Sequence, residues 1–166
     1  MKVLLGFILG LLLMPVLGYL YLTSGRFPVA TADPPVPFEK RLARLSQHVK
    51  YVEAAKLQSP VAADETAFVA GAKTYKDNCA VCHGLPNQPI GTIPKGMFPA
   101  PPQLLDKDDM VMDDPAGTTY WKVANGIRLS GMPAFKGSLN DTQIWQVTQL
   151  LAHADKLPPT ATDILK

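Results

Sequence analysis

The chain has 166 residues, enough for one ordinary domain and little more, which excludes a large multidomain enzyme. A net charge of only +2, with no basic stretch interleaved with aromatics, argues against nucleic acid as a partner. The sixteen prolines are nearly twice the usual share of about 5%, whereas glycine is near its usual share of about 7%, so the chain is loop-rich without being of low complexity.

Residues 3–22, VLLGFILGLLLMPVLGYLYL, carry no charge. At about 1.5 Å rise per residue, that run covers the roughly 30 Å hydrocarbon core of a bilayer. The apolar core of a secretory signal is typically about 7 to 15 residues, so the length favours an uncleaved anchor. Ala30-Thr31-Ala32 has the form of a cleavage site, but it lies well beyond the apolar run. No cysteine is near enough for a lipid graft. Lys2 on one side is opposed by Arg26, Lys40, Arg41 and Arg44 on the other, so flanking charge says little about orientation. A start with one lysine is easily left in the cytoplasm, and export of the chain beyond Leu22 is the expectation.

Residues 23–37 contain Gly25, Pro28, Pro34, Pro35 and Pro37, a composition that favours an extended, semi-rigid spacer. Over 38–57, Phe38, Leu42, Leu45, Val49 and Val52 recur at helical spacing with charges between them, which predicts an amphipathic helix stopped before Pro60. A second helix is signalled from Asp64-Glu65, in cap and first-turn positions, with Phe68, Gly71, Ala72, Tyr75 and Cys79 along one stripe. Gly84 to Pro102 carries six prolines and is expected to be irregular, wrapped around something. Further helices are expected over about 118–125, ended by Asn125-Gly126, and about 140–154, where Ile144, Val147, Leu150 and Leu151 form an apolar face around Trp145. No run alternates with period two, and there are no internal repeats, so the fold class is small all-α with long loops. The domain expectation is an anchor over 1–22, spacer and amphipathic helix over 23–63, and a compact domain over 64–166.

Cys79-Ala80-Val81-Cys82-His83 has the C-x-x-C-H spacing of covalent haem attachment. Positions i, i+3 and i+4 share one helical face, so two thiols can form thioethers to the haem vinyl groups while the imidazole reaches the iron. His83 is then the proximal ligand. Three other uses of such a pair are a disulfide, a thioredoxin-like redox motif and half a zinc site. Zinc wants four ligands, and His48 and His153 are the remaining nitrogen donors, without partner spacing. A thioredoxin motif belongs at a strand-to-helix junction, and no strand is visible. Haem attachment of this kind takes place on the exported side of a membrane, which agrees with the expected topology.

The chain resembles the class I mono-haem cytochromes c, in particular bacterial members tethered by an N-terminal helix. The matching residues are Gly71-x-x-x-Tyr75-x-x-x-Cys79-x-x-Cys82-His83-Gly84 and Trp121-x-Val123-x-Asn125-Gly126-Ile127-x-x-x-Gly131-Met132-Pro133-x-Phe135. They lie within residues 64–155, and the resemblance does not extend to residues 1–60. It implies one covalently bound haem c clamped between two helices that cross near Gly71 and Trp145, with a methionine thioether as the sixth iron ligand. Met132 is the candidate, because Gly131 lets the backbone approach a ring and Pro133 holds Met132 extended. Met97 is an alternative, an open or histidine-filled sixth position is another, and gap-filling is the ordinary role of a buried methionine. Met110 and Met112 lie in an acidic loop. The resemblance also aligns Pro102-Gln103-Leu104 with a segment whose proline carbonyl accepts the free N–H of the ligand imidazole, although Pro101 stands where the family has glycine. Tyr120 and Trp121 are candidates to pack on the haem or its propionates; Trp145 reads as core, and His48 and His153 as surface or interface residues without ligand roles.

Residues 1–56 hold seven Lys/Arg and three Asp/Glu, whereas residues 57–166 hold nine and eleven. The acidic residues concentrate at Asp106-Lys107-Asp108-Asp109 and Asp113-Asp114, a docking patch or a solvated loop. The basic amphipathic helix suits anionic lipid, a larger protein or a solvated connector. The expectation is a non-enzymatic, membrane-anchored electron carrier at the periplasmic face of a bacterial inner membrane. Its partners are a protein donor and acceptor, with no small-molecule substrate. It serves as a subunit of a respiratory, photosynthetic or dehydrogenase complex or, alternatively, as a free tethered shuttle. A haem peroxidase or sensor would need an open iron site.

Overall fold

A computed structural model of the chain describes residues 2–106 and 111–166. Lys107, Asp108, Asp109 and Met110, part of the acidic loop, lie outside the described residues. The chain divides into two compact units, Met1–Glu39 and Lys40–Lys166. The described secondary structure is all helical.

The first unit holds helix α1, Lys2–Thr23, and turns that lead to residue 39. Length and composition make α1 long and apolar enough to cross a membrane. Pro15 sits inside it, and none of its residues is buried.

The second unit is built on α3, Glu65–Asn78, and α7, Asp141–Ala152, which pack across one another. Each starts with a side-chain cap. Asp64 accepts the Ala67 N–H at 2.9 Å, and Asn140 forms a reciprocal capping box with Gln143. The stripe anticipated on α3 faces inward, with Phe68, Ala72 and Tyr75 buried, and on α7 Ile144, Val147, Leu150 and Leu151 face them. Each large aliphatic buried in this way contributes about 1.5–3 kcal/mol relative to exposure. The helices approach closely because Gly71 has no Cβ: one placed there would strike the Gln146 carbonyl oxygen and sit 3.1 Å from Leu150 Cβ. The crossing thus lies at Gly71 and Gln146, next to Trp145. Trp145 is buried and stacks on Tyr120, with centroids 4.2 Å apart.

Helix α6, Ala116–Asn125, packs on α7. Its first turn takes in the end of α2, Glu39–Ala54. Gly117 meets the Ala54 carbonyl, Thr118 Oγ1 donates to the Tyr51 carbonyl at 3.2 Å, and the Tyr51 and Trp121 rings meet edge to face at 5.8 Å. Farther along, Gln149 Nε2 donates to the Val61 carbonyl at 2.8 Å.

Three short helices were not foreseen. α4, Ala80–His83, follows α3 at once, and α5, Thr92–Lys95, is a single turn inside the proline-rich stretch expected to be irregular. α8, Pro159–Ile164, packs on α3 and buries Ala161, with Leu165 buried just beyond it; Lys76 Nζ donates to the Ile164 carbonyl at 2.7 Å. His153, expected at the surface, is partly buried: its ring lies 5.4 Å from that of Phe68, and Nδ1 is 2.9 Å from the Gln149 carbonyl oxygen. His48 is exposed.

Replacing Gly71 with valine should force α3 off the Gln146 carbonyl and lower stability by about 3 kcal/mol, the upper part of the range for overpacking. Denaturant unfolding of the wild-type and variant proteins would measure it; an unchanged midpoint would show that the helices do not meet at this residue.

Candidate functional site

Cys79 is the residue on which α3 ends. Its N–H donates to the Tyr75 carbonyl at 2.8 Å, while its own carbonyl accepts from Cys82 N at 3.1 Å and His83 N at 2.9 Å, which starts α4. One turn of backbone therefore presents Cys79, Cys82 and His83 together. Gly84, at φ +73°, closes that turn through its N–H to Ala80 O, and Gln103 occupies the space a Cβ at 84 would take. Below it, the fully buried Tyr75 donates its hydroxyl proton to the Gly84 carbonyl at 2.9 Å. Burial, with the neighbouring Cys79 adding to it, raises the Tyr75 hydroxyl above the usual phenol range, so that proton stays in place.

Both thiols are free. Burial pushes Cys79 up to about 12, with repulsion from Cys82 adding to the shift. A thiol that performs disulfide exchange needs the reverse, a depressed value that supplies thiolate, so this environment does not suit a thioredoxin-like pair. Among the described residues, no group of three or more His, Cys, Asp or Glu is placed to hold a bare metal ion.

His83 Nδ1 lies 2.8 Å from the Pro102 carbonyl oxygen. A carbonyl can only accept, so Nδ1 carries the hydrogen and Nε2 keeps its lone pair. Burial lowers the pKa of His83, and the bond to Pro102 partly opposes that. The neutral imidazole, the form that can bind a metal, is therefore favoured. The structure thus brings together His83 and Pro102, two residues 19 positions apart that the resemblance alone had paired.

Met132 is partly buried against the core at the end of a tight turn. Its carbonyl accepts from Ile127 N at 3.2 Å, and its N–H donates to Ser130 Oγ at 3.2 Å; that hydroxyl in turn donates to the Ile127 carbonyl at 2.6 Å. Beyond Met132, Phe135 N donates to Val123 O at 3.0 Å and Lys136 N to Ala124 O at 3.1 Å, so the segment is stitched to the end of α6. Gly126 makes this possible: it has φ +68°, and a Cβ there would come within 2.7 Å of Pro133 C and 2.8 Å of Met132 O.

Met97 belongs to the same region, because its methyl group packs against Gly131, beside Met132. Gly131 had been read as a place for a ring to approach, and what lies against it is a thioether side chain. A non-local contact of this kind leaves no mark in the sequence. Tyr120 stacks on Trp145 and donates its hydroxyl to Asp141 Oδ1 at 3.0 Å, while Trp121 meets Tyr51.

The donor set fits a c-type haem: two free thiols and an imidazole on one turn, with the imidazole's second nitrogen already committed to a carbonyl. A family model described as cytochrome C oxidase, cbb3-type, subunit III matches residues 66–151, slightly more than half of the chain. No curated protein and no solved structure matches the chain.

Gly126→Ala places a Cβ against the Met132–Ala134 backbone at a φ that only glycine adopts without strain. It should cost about 1–3 kcal/mol. Chemical denaturation would check this, and a variant as stable as the parent would mean that the turn does not depend on residue 126.

Proposed function

Because the chain belongs to the family of the cbb3-type cytochrome c oxidase subunit III and is a class I c-type cytochrome, we propose that it carries single electrons at the outer face of a membrane as a fixed subunit of an integral membrane complex. The observation that carries the site assignment is the His83–Pro102 contact, which leaves Nε2 of a partly buried, neutral imidazole as a donor beside two free thiols. Cys79 and Cys82 would hold the haem through thioethers, and His83 and Met132 would ligate its iron. Bound in this way, the haem supplies a one-electron couple whose potential a histidine–methionine ligand pair raises.

The chain's own residues hold that site in place. Pro102 fixes the orientation and tautomer of His83, and Tyr75 ties the end of the C-x-x-C-H turn to α3. The Ile127–Met132 turn, with Gly126 behind it, fixes where the Met132 sulfur can go. Tyr120 and Trp121 have the lesser part of securing α6 against α7 and α2. Ligation by both His83 and Met132 would leave no iron position open to a substrate, which sets this reading apart from a peroxidase or gas sensor.

Helix α1 is read as the membrane anchor, supported by its length and apolar composition and by the export that haem attachment requires. Placement at the periplasmic face of a bacterial inner membrane rests on the same two features. The family's printed name, which refers to a subunit of an oxidase, supports membership of a complex over a free tethered shuttle.

Exchanging Cys79 and Cys82 for serine should abolish covalent haem retention on a denaturing gel; retained haem staining would remove the thioether assignment. Met132→Ala should lower the midpoint potential by a fraction of the roughly 0.8 V that axial ligation spans, and the reduced protein should then bind carbon monoxide rapidly. An unchanged potential would shift the sixth-ligand role to another residue, with Met97 the first to test.

A further inference from the structure

Helix α2 has two faces with opposite destinations. Glu39, Ala43, Gln47, Tyr51 and Ala54 are its least exposed positions, and at 3.6 residues per turn they share one side, the side that meets α6 through Tyr51 and Ala54. Leu42, Leu45, Val49 and Val52 lie about 120–180° around the helix from the middle of that side. These four remain 65%, 61%, 66% and 52% exposed, so docking on the second unit leaves the apolar stripe uncovered. An amphipathic helix ordinarily buries its apolar stripe against its own domain, and here the domain holds the other face.

The charge around the stripe indicates what covers it. Residues 40–56 carry Lys40, Arg41, Arg44, Lys50 and Lys56 against Glu53 alone, whereas residues 57–166 have an acidic excess of two. A cationic segment with an apolar stripe, on a domain that is itself anionic, is complementary to an anionic lipid surface. The fifteen residues between α1 and α2 reach at most about 50 Å, so an anchored α1 keeps α2 near such a surface. Pairing with α2 of a second copy is less suited to the stripe, since Leu42 to Val52 spans fewer than two heptads and a coiled-coil seam ordinarily needs about three or more.

We infer that α2 lies in the headgroup region of an anionic membrane with Leu42, Leu45, Val49 and Val52 directed into the lipid. It thereby forms a second attachment, which holds the haem-binding unit, docked on the opposite face of α2, in one orientation on the bilayer. The inference rests on the anchor reading of α1.

The test uses full-length, haem-loaded protein in vesicles, in which the two native cysteines are consumed by the haem and an added cysteine labels uniquely. Nitroxide labels at Leu45→Cys and Val49→Cys would be compared with one at Lys40→Cys, an exposed position on the opposite side of α2. An unchanged haem spectrum would confirm that each variant is folded. In phosphatidylglycerol vesicles the labels at 45 and 49 should favour collision with oxygen over a water-soluble nickel chelate at least threefold more than the label at 40. That preference should vanish in phosphatidylcholine vesicles and in an Arg41→Glu, Arg44→Glu background. Aqueous labels in phosphatidylglycerol, equal immersion in both lipids, or spin–spin broadening between copies would each overturn the inference, the last in favour of a second copy as occupant. An alkaline carbonate wash separates the two readings. A chain that washes off overturns the anchor and the inference with it, whereas a chain that stays while its labels remain aqueous overturns only the role of α2.

Discussion

The crossing of α3 and α7 at Gly71 governs the rest of the second unit. With no Cβ at 71, α3 lies directly on the Gln146 carbonyl, and the interlocked stripes of the two helices then fix the position of everything attached to them. The C-x-x-C-H turn is continuous with the last residue of α3, so its three chemical groups inherit the helix's position. α6 packs on α7, so the Met132 turn, stitched to the end of α6, inherits its position from the other partner. His83 thus takes its position directly from α3, and Met132 takes its position from α7 through α6.

Backbone groups do most of the positioning at the site itself. His83 is oriented by a proline carbonyl, Tyr75 holds a glycine carbonyl, and the Met132 turn is closed by Ile127 N–H, Ser130 Oγ and the pairs from Phe135 and Lys136 to α6. Main-chain acceptors with no titratable group of their own do not change charge with pH, and they keep the imidazole in one tautomer. Such a frame suits a site whose task is to change oxidation state while its ligands stay in place.

The parts that were readable in the sequence share a physical cause. Phe68, Ala72 and Tyr75 on α3, and Ile144, Val147 and Leu151 on α7, announce their helices because each helix buries one face over three turns or more. Cys79, Cys82 and His83 announce a site because the chemistry needs those side chains at that spacing. α5 and α8 are too short to display a stripe, and α5 sits among prolines that ordinarily mark irregular chain. The Pro102 acceptor is a main-chain oxygen, which every residue possesses, so only the family resemblance could single it out. The packing of Met97 on Gly131 and of Ala54 on Gly117 joins segments far apart in sequence, where a glycine shows that something approaches and not what it is.

In helix α2 the sequence pattern and the packing point in opposite directions. Its periodicity is that of a helix with an apolar face to bury, yet it docks through Tyr51, Ala54 and the backbone carbonyls offered to Thr118 and Gly117. Covering a side chain the size of leucine or valine is worth about 1.5–3 kcal/mol, and docking on this unit leaves that contribution largely unrealised at four positions. A sequence under no constraint but the folding of this unit would place polar residues at 42, 45, 49 and 52. Their apolar identity is what the inferred lipid contact requires, and the small and aromatic residues on the inner face would let the helix touch the bilayer and the haem-binding unit at once.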